Sequence, residues 1–233
     1  MIFPGAAGGG VFSQLNAWDT EAFLFLNGLH STGWDGAMSL VSSVWVLVPV
    51  HLLLILGIVH RPRWRECGAL AALALFIVLI DLSGVHAIKE FAQRLRPSWQ
   101  AELSSVVHLV GGHRGGMYGF ISTHTAYAFA LATFAALAVR GRFLTVAWFG
   151  WALVVGYSRV YMGLHFPGDV LCGAVWGMSV AAGVSWVFSR SLEWPERYPL
   201  APAAGAMVGA VSSLRTSVRR APVRRETNVA PDL

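Results

Sequence analysis

Three short polar segments carry the residues of this chain that are equipped to do chemistry. The first, residues 158–169, reads Ser-Arg-Val-Tyr-Met-Gly-Leu-His-Phe-Pro-Gly-Asp and lies between two apolar runs. The second, residues 89–97, places Lys89 seven residues before Arg96, and the third is Ser122-Thr123-His124. The other parts of the chain must bring these segments together.

The cations of these segments predict an anion site. Lys89, Arg96 and Arg159 are basic residues beside apolar runs, and such charges are costly unless they are paired. Phosphate is the natural partner, because arginine forks match its oxygens in bidentate geometry and lysine supplies a point charge. Ser122 and the backbone N–H groups that open the next apolar run would complete the cradle.

Two histidines predict a covalent phosphoryl transfer. His165 precedes Asp169 by four residues, one helical turn, so the carboxylate can hold one ring nitrogen and leave the other free to attack phosphorus. His124 comes from a different segment and would act as general acid for the leaving oxygen. These roles describe a double displacement through phosphohistidine that needs no metal and no cofactor.

The composition places the three segments in a membrane protein. Of the 233 residues, 55% are hydrophobic and 12% are charged, whereas a soluble domain normally carries about 25% charged residues. A bilayer core needs about 20 apolar residues, and five runs approach that length: residues 37–59, 67–85, 122–139, 143–157 and 170–188. We therefore predict an all-α, polytopic membrane bundle of about five transmembrane helices.

A further helix is predicted near the N-terminus, over residues 16–30, with Asp19 or Thr20 as its N-cap. Its apolar side would hold Phe23, Leu24 and Leu26. The helix is too short to span, so it either lies at the bilayer interface or packs on the surface of the bundle. The predicted organisation is an N-terminal segment (1–34), a membrane-embedded domain (35–190) and a basic, disordered cytoplasmic tail (191–233).

The arginines predict the orientation, because positive residues collect on the cytoplasmic side. Twelve of the 17 basic residues lie in connections that the spans place on one side: Arg61, Arg63, Arg65, Arg140, Arg142, Arg190, Arg197, Arg215, Arg219, Arg220, Arg224 and Arg225. The C-terminus is therefore predicted to be cytoplasmic and the polar segments to lie on the outer face. The basic tail fits anionic lipid better than nucleic acid, since no aromatic residues alternate with its arginines.

The three segments resemble the signature motifs of the type 2 phosphatidic acid phosphatase superfamily: Lys89-x6-Arg96-Pro97, Ser122-Thr123-His124 and Ser158-Arg159-x5-His165-x3-Asp169. The resemblance implies a helical-bundle, integral-membrane lipid phosphatase with His165 as nucleophile, Asp169 as its partner and His124 as acid. It implies a phosphate-binding set that consists of Lys89, Arg96, Ser122, Thr123 and Arg159. The family usually has Pro-Ser-Gly-His where this chain has Ile121-Ser122-Thr123-His124, and a β-branched residue resists the positive φ that glycine permits.

The sequence leaves the lipid open. Family analogy favours a polyprenyl diphosphate such as undecaprenyl diphosphate, presented in the outer leaflet of a bacterial inner membrane. Phosphatidic acid, phosphatidylglycerol phosphate and lipid A phosphate are the alternatives, and residues 98–118 form a loop long enough to read the head group. Two other classes are a vanadium haloperoxidase, whose relatives are soluble, and a non-catalytic lipid-binding scaffold. The joint presence of His124, His165 and Asp169 argues against the scaffold.

Overall fold

The computed structural model describes residues 10–43, 46, 75, 77, 79, 81, 87–139 and 141–191. Within these ranges the chain is helical, and its β-structure is limited to an isolated bridge between Leu95 and Tyr118. The helices are α1 (Val11–Gly28), α2 (Thr32–Val41), the single turn α3 (Lys89–Ala92), α4 (Thr123–Val139), α5 (Arg142–Tyr161) and α6 (Pro167–Ser191). The predicted all-α class is confirmed for this part of the chain. Most of the predicted spans 37–59 and 67–85, and nearly all of the tail, lie outside it.

Helix α4 lies between α5 and α6 and packs most closely against α6. Two glycines of α6 make this approach possible. A Cβ added at Gly173 would lie 2.6 Å from the Ser122 carbonyl oxygen, and one added at Gly177 would overlap the Ala126 carbonyl. Small residues at this spacing let two backbones touch in a membrane. Because Ser122 immediately precedes α4, this contact fixes the third polar segment against α6.

Two of the described helices are long and apolar enough to cross a membrane: α5, and α6 over Pro167–Val187. A third or less of each span is buried inside the protein, which leaves wide apolar faces to meet lipid. Helix α4 coincides with the predicted run 122–139, and its interface with α6 is filled by aliphatic side chains and one phenylalanine: Ala126, Ala130, Leu131, Phe134, Ala135, Ala181 and Val184. The total number of spans stays a prediction.

Helix α1 begins earlier than the sequence suggested. It starts at Val11, after Gly10, and neither Asp19 nor Thr20 caps it, so that prediction is wrong. The Thr20 hydroxyl donates to the Asn16 carbonyl within the helix, at 2.8 Å. The Asp19 carboxylate faces other elements, where it accepts from charged and backbone donors. Those partners leave it no role at the start of its own helix.

Helix α1 packs on the bundle through Phe23 and Asn27, one turn apart and both buried. The Phe23 ring meets Phe166 edge-on, with centroids 5.3 Å apart. The Asn27 amide donates to the carbonyls of Val160 at 3.1 Å and Tyr161 at 2.8 Å, which satisfies carbonyls that the end of α5 leaves without helical partners. The structure thus has the helix packed on the bundle surface, with Phe23 inward. Its location at the bilayer interface stays a prediction.

Candidate active site

The three polar segments meet at one end of the α4–α6 bundle. Lys89 and Arg96 come from α3 and the turn after it, Thr123 and His124 from the start of α4, and Arg159 from the last turn of α5. His165 lies in the α5–α6 connection, and Asp169 lies in the first turn of α6. The residues that the sequence singled out are therefore brought to one place by four separate elements.

His165 points its Nε2 atom at a guanidinium. The side chain is buried, with 1% exposed, and Nε2 lies 3.2 Å from Nη1 of Arg96. Because a guanidinium donates and never accepts, Nε2 must be the acceptor and the ring proton must sit on Nδ1. Burial, reinforced by the positive charge of Arg96, lowers the pKa of His165 well below its usual range. The ring is therefore neutral, with its lone pair on Nε2.

Asp169 is fully buried and accepts on both carboxylate oxygens. Oδ2 accepts the Phe166 N–H at 3.0 Å, as the acidic arm of a capping box does at the start of a helix. Oδ1 accepts from Nη1 of Arg94 at 2.7 Å. Nδ1 of His165 lies 3.6 Å from Oδ2, which is longer than a hydrogen bond. The predicted pair thus approaches closely across a non-helical turn, since α6 begins only at Pro167.

Lys89 reaches across to the start of α4. Its ammonium donates to the Thr123 hydroxyl at 2.9 Å. Burial, followed by the charge of Arg96, lowers the pKa of Lys89 to about 8. At neutral pH this lysine is still mostly cationic, and an anion beside it would stabilise its charge further.

Arg159 is buried between α5 and α2, with 7% of its surface exposed. Its Nη1 donates to the hydroxyl of Ser42 at 2.8 Å. Its Nε is buried without a hydrogen-bond partner among the residues that the structure describes. A buried charged donor that lacks a partner is costly, and a phosphate oxygen is the kind of acceptor that would satisfy it.

The Ser122-Thr123-His124 segment leads into α4, which begins at Thr123. Within the described ranges Gln93 is the one non-glycine residue with a positive φ, so Thr123 stands in ordinary helical backbone although the family usually has glycine there. The Ser122 N–H donates to the Asp169 carbonyl at 3.0 Å, and the Ser122 hydroxyl accepts from Thr125 at 2.9 Å. Ser122 therefore holds the two helices together, and the first-turn N–H groups of Thr123 and His124 have no acceptor in their own helix.

His124 completes the set. It is half-buried and lies within electrostatic reach of His165 and of the three cations. Within the described ranges, no three His, Cys, Asp or Glu side chains are grouped as a metal site needs.

Three residues that sequence reasoning missed support this site: Arg94, Asp19 and Ser42. Arg94 lies inside the first motif, and its side chain bridges Asp169 and Asp19. Ser42, at the end of α2, holds Arg159. A signal for Arg94 was available, because a buried carboxylate has room for several donors and a second arginine stands two residues before Arg96. Asp19 and Ser42 carry no such signal in the sequence.

The loop of residues 98–118 lies against the site. The Arg96 N–H donates to the Met117 carbonyl at 3.0 Å. A Cβ added at Gly115, whose φ is +66°, would lie 3.1 Å from Nη1 of Arg96. The exposed Trp99 lies under the Arg114 guanidinium, 5.9 Å from the ring centre. This loop is therefore placed beside the cations, where a bound head group would meet it.

The fold is that of a known class of phosphatase. The chain belongs to the PAP2 superfamily, whose family model matches residues 67–193. It is a membrane lipid phosphatase, a phosphoric ester hydrolase. The predicted family and enzyme class are thereby confirmed, and a non-catalytic scaffold is not supported.

Two relatives are each named lipid A 4'-phosphatase. The protein from Bacteroides thetaiotaomicron is 35% identical over 161 residues, which cover 68% of this chain and 72% of the relative. The protein from Porphyromonas gingivalis is 34% identical over 173 residues, which cover 73% and 72%.

Two solved structures share the fold. The crystal structure of Aquifex aeolicus LpxE aligns with a TM-score of 0.55 and 28% identity, covering 71% of this chain and 93% of that one. The transmembrane PAP2-type phosphatidylglycerolphosphate phosphatase of Bacillus subtilis aligns with a TM-score of 0.58 and 19% identity, covering 76% and 87%.

Proposed function

We propose that this protein hydrolyses a phosphate monoester of lipid A, primarily the 4'-phosphate, through a phosphohistidine on His165. The substrate rests on the two relatives named for that reaction, at 34% and 35% identity. The chemistry rests on one observation, the Nε2 lone pair of His165 directed at Arg96. Undecaprenyl diphosphate, phosphatidic acid and phosphatidylglycerol phosphate are the rival substrates of the same site.

Phosphate binding is assigned to the cations around His165. Lys89 and Arg96 approach from the α3 side and Arg159 from α5, so that the three can share the non-bridging oxygens of one phosphate. The N–H groups of Thr123 and His124 point out of the α4 N-terminus, where an anion is favoured. Arg96 exchanges its contact with His165 for phosphate oxygens, which frees the Nε2 lone pair.

The first chemical step forms a P–N bond and breaks the P–O bond to the lipid. Nε2 of His165 attacks phosphorus in line with the leaving oxygen, and His124, whose protonated form the bound phosphate anion stabilises, gives its proton to that oxygen. The product of this step is a neutral lipid hydroxyl and phosphohistidine. As the His165 ring becomes cationic, the carboxylate of Asp169, 3.6 Å from Nδ1, stabilises it.

The second step returns the enzyme to its starting state. His124, now neutral, takes a proton from water, and the water oxygen attacks phosphorus. The P–N bond breaks, its electron pair returns to Nε2, and inorganic phosphate leaves. The cations hold the same phosphate oxygens in both steps, so no metal is required.

The proposed location is a bacterial inner membrane, with several spans, the site on the outer face and the C-terminus in the cytoplasm. The positive-inside pattern of the arginines supports this orientation. The exposed apolar side chains of α1 support its placement at the interface beside the site: Val11, Phe12, Leu15, Trp18, Leu24 and Phe25. A protease-accessible C-terminal tag in intact spheroplasts would contradict the orientation.

Phosphate release by the purified, detergent-solubilised protein tests the substrate. The panel is lipid A, undecaprenyl diphosphate, phosphatidic acid and phosphatidylglycerol phosphate, with His165→Ala as the blank. Preferential release from lipid A, with mass spectrometry locating the loss at the 4' position, supports the proposal. Preferential release from another lipid of the panel moves the substrate to that lipid, and release by His165→Ala overturns the mechanism.

A further inference from the structure

An ion-pair bridge joins α1 to the start of α6, and we propose that Asp19 is a positioning residue for the His165–Asp169 pair. Asp19 acts through Arg94 and through the backbone of Gly168. The inference rests on the proposed role of His165 as nucleophile. Asp19 itself lies outside residues 67–193, which the family model matches, so the family assignment gives it no role.

Arg94 divides its guanidinium between two carboxylates. Nη2 donates to Oδ2 of Asp19 at 2.6 Å, and Nη1 donates to Oδ1 of Asp169 at 2.7 Å. The guanidinium also lies over the Phe166 ring, 4.3 Å from its centroid. The side chains of Arg94 and Asp19 are only 11% and 15% exposed, so water screens these charges less than it would at an open surface. The Arg94 guanidinium therefore has one well-defined orientation.

Asp19 also caps the start of α6, whose N-cap residue offers no side-chain acceptor. Helix α6 follows Phe166, whose side chain has no acceptor for the first N–H groups of the helix. Oδ1 of Asp19 accepts the Gly168 N–H at 2.7 Å, and Asp169 takes the Phe166 N–H. A carboxylate at this end of a helix is also favoured by the helix dipole. Asp19 thus fixes the backbone from which Asp169 projects.

These contacts determine how Asp169 meets His165. With Oδ1 fixed by Arg94 and Oδ2 held by the Phe166 N–H, Oδ2 stays 3.6 Å from Nδ1 of His165. A shift of well under 1 Å would make this a hydrogen bond, at the moment when the attacking ring becomes cationic. Asp19 also offsets part of the positive charge of Arg94. The negative charge of Asp169 is therefore less neutralised by Arg94 and can stabilise the cationic His165 ring.

The test compares Asp19→Asn with wild type in the full-length, detergent-solubilised protein, using phosphate release and inhibition by orthovanadate. Vanadate adopts the five-coordinate geometry of phosphoryl transfer, so its inhibition constant reports the placement of His165. Misplaced reacting groups cost about 10-fold to 100-fold in rate; we expect that loss in kcat and a rise in the vanadate constant, with KM changed by less than about threefold. An unfolded fraction would lower apparent kcat but would leave KM and the vanadate inhibition constant unchanged.

Gly168→Ala provides a second variant that keeps the Asp19 side chain. Its Cβ would lie 2.7 Å from Oδ2 of Asp19, so it must displace the carboxylate and give the same pattern. Glu21→Gln, an exposed acidic residue on the same helix, is the matched control and should match wild type. Unchanged kcat and vanadate constants in Asp19→Asn, with His165→Ala inactive, would overturn the inference alone. Turnover by His165→Ala would overturn the nucleophile assignment and this inference with it.

Discussion

Arg96 Nη1 lies 3.2 Å from Nε2 of His165, so a guanidinium donates to the nitrogen that is proposed to attack phosphorus. The contact keeps the ring in the tautomer that nucleophilic attack needs, because the proton is driven to Nδ1. It also has to be exchanged when phosphate binds. We therefore propose that the same Arg96 N–H groups donate to His165 in the empty site and to phosphate oxygens in the occupied site.

The first prediction concerns the Arg96 guanidinium. Arg96→Lys keeps the charge but loses the planar set of donors that holds Nε2 and the Leu164 carbonyl. One charge-assisted hydrogen bond is worth about 1.5–3 kcal/mol, so kcat/KM should fall about 10-fold to 100-fold. Arg142→Lys, an exposed arginine at the opposite end of α5 from Arg159, is the control. Equal activity of the two variants would show that Arg96 does not contribute to phosphate binding or turnover.

A second prediction follows from the lowered pKa of Lys89. Because this pKa is about 8, Lys89 is cationic below pH 8 and neutral above it. We expect kcat/KM to fall as the pH rises through about 8, and kcat to fall only at higher pH, since bound phosphate raises the pKa of the lysine. In Lys89→Arg the alkaline fall of kcat/KM should disappear, because a guanidinium stays charged. An unchanged profile in that variant would assign the titration to another group.

The third prediction tests the residue that replaces the family's usual glycine. Thr123→Val keeps the shape of the side chain and removes the hydroxyl that accepts from Lys89 at 2.9 Å. Without this acceptor the charged lysine is less stable, so its pKa should fall and the alkaline fall of kcat/KM should begin at lower pH. Thr133→Val is the control, since the Thr133 hydroxyl donates to the Phe129 carbonyl within α4. Coincident profiles for Thr123→Val and wild type would show that the hydroxyl does not affect Lys89.

The fourth prediction separates monoester from diphosphate substrates through His124. A sugar alkoxide is a poor leaving group and needs a proton, whereas a lipid phosphate leaves readily without one. His124→Ala should therefore lower turnover of lipid A by about 10²- to 10⁴-fold and turnover of undecaprenyl diphosphate by much less. Equal losses on the two substrates would contradict the role of His124 as general acid.

The motif residues could be found from the sequence because their spacing along the chain encodes their chemistry. Lys89 and Arg96 are seven residues apart, and His165 and Asp169 are four apart. The hydrophobic runs also located α4, α5 and α6 to within a few residues. Local patterns of this kind survive in any fold that keeps the segments intact.

The supporting contacts could not be found in that way. Asp19 and Gly168 are separated by 149 residues, and Ser42 and Arg159 by 117. Such pairs depend on which helices touch, and a single sequence does not specify that. The same limitation explains the wrong cap at Asp19. An acidic residue near a helical pattern favours an N-cap, but this carboxylate has stronger partners on Arg94 and α6.

The most direct test of the central claim is to trap the phosphoenzyme and locate the phosphate. Lipid A labelled at its phosphate is mixed with the protein in EDTA, quenched in alkali after a few milliseconds, and the labelled peptide is sequenced. We expect an acid-labile, alkali-stable phosphate on His165, absent from His165→Ala and undiminished by EDTA. Label on another residue, or label that requires an added metal, would contradict it.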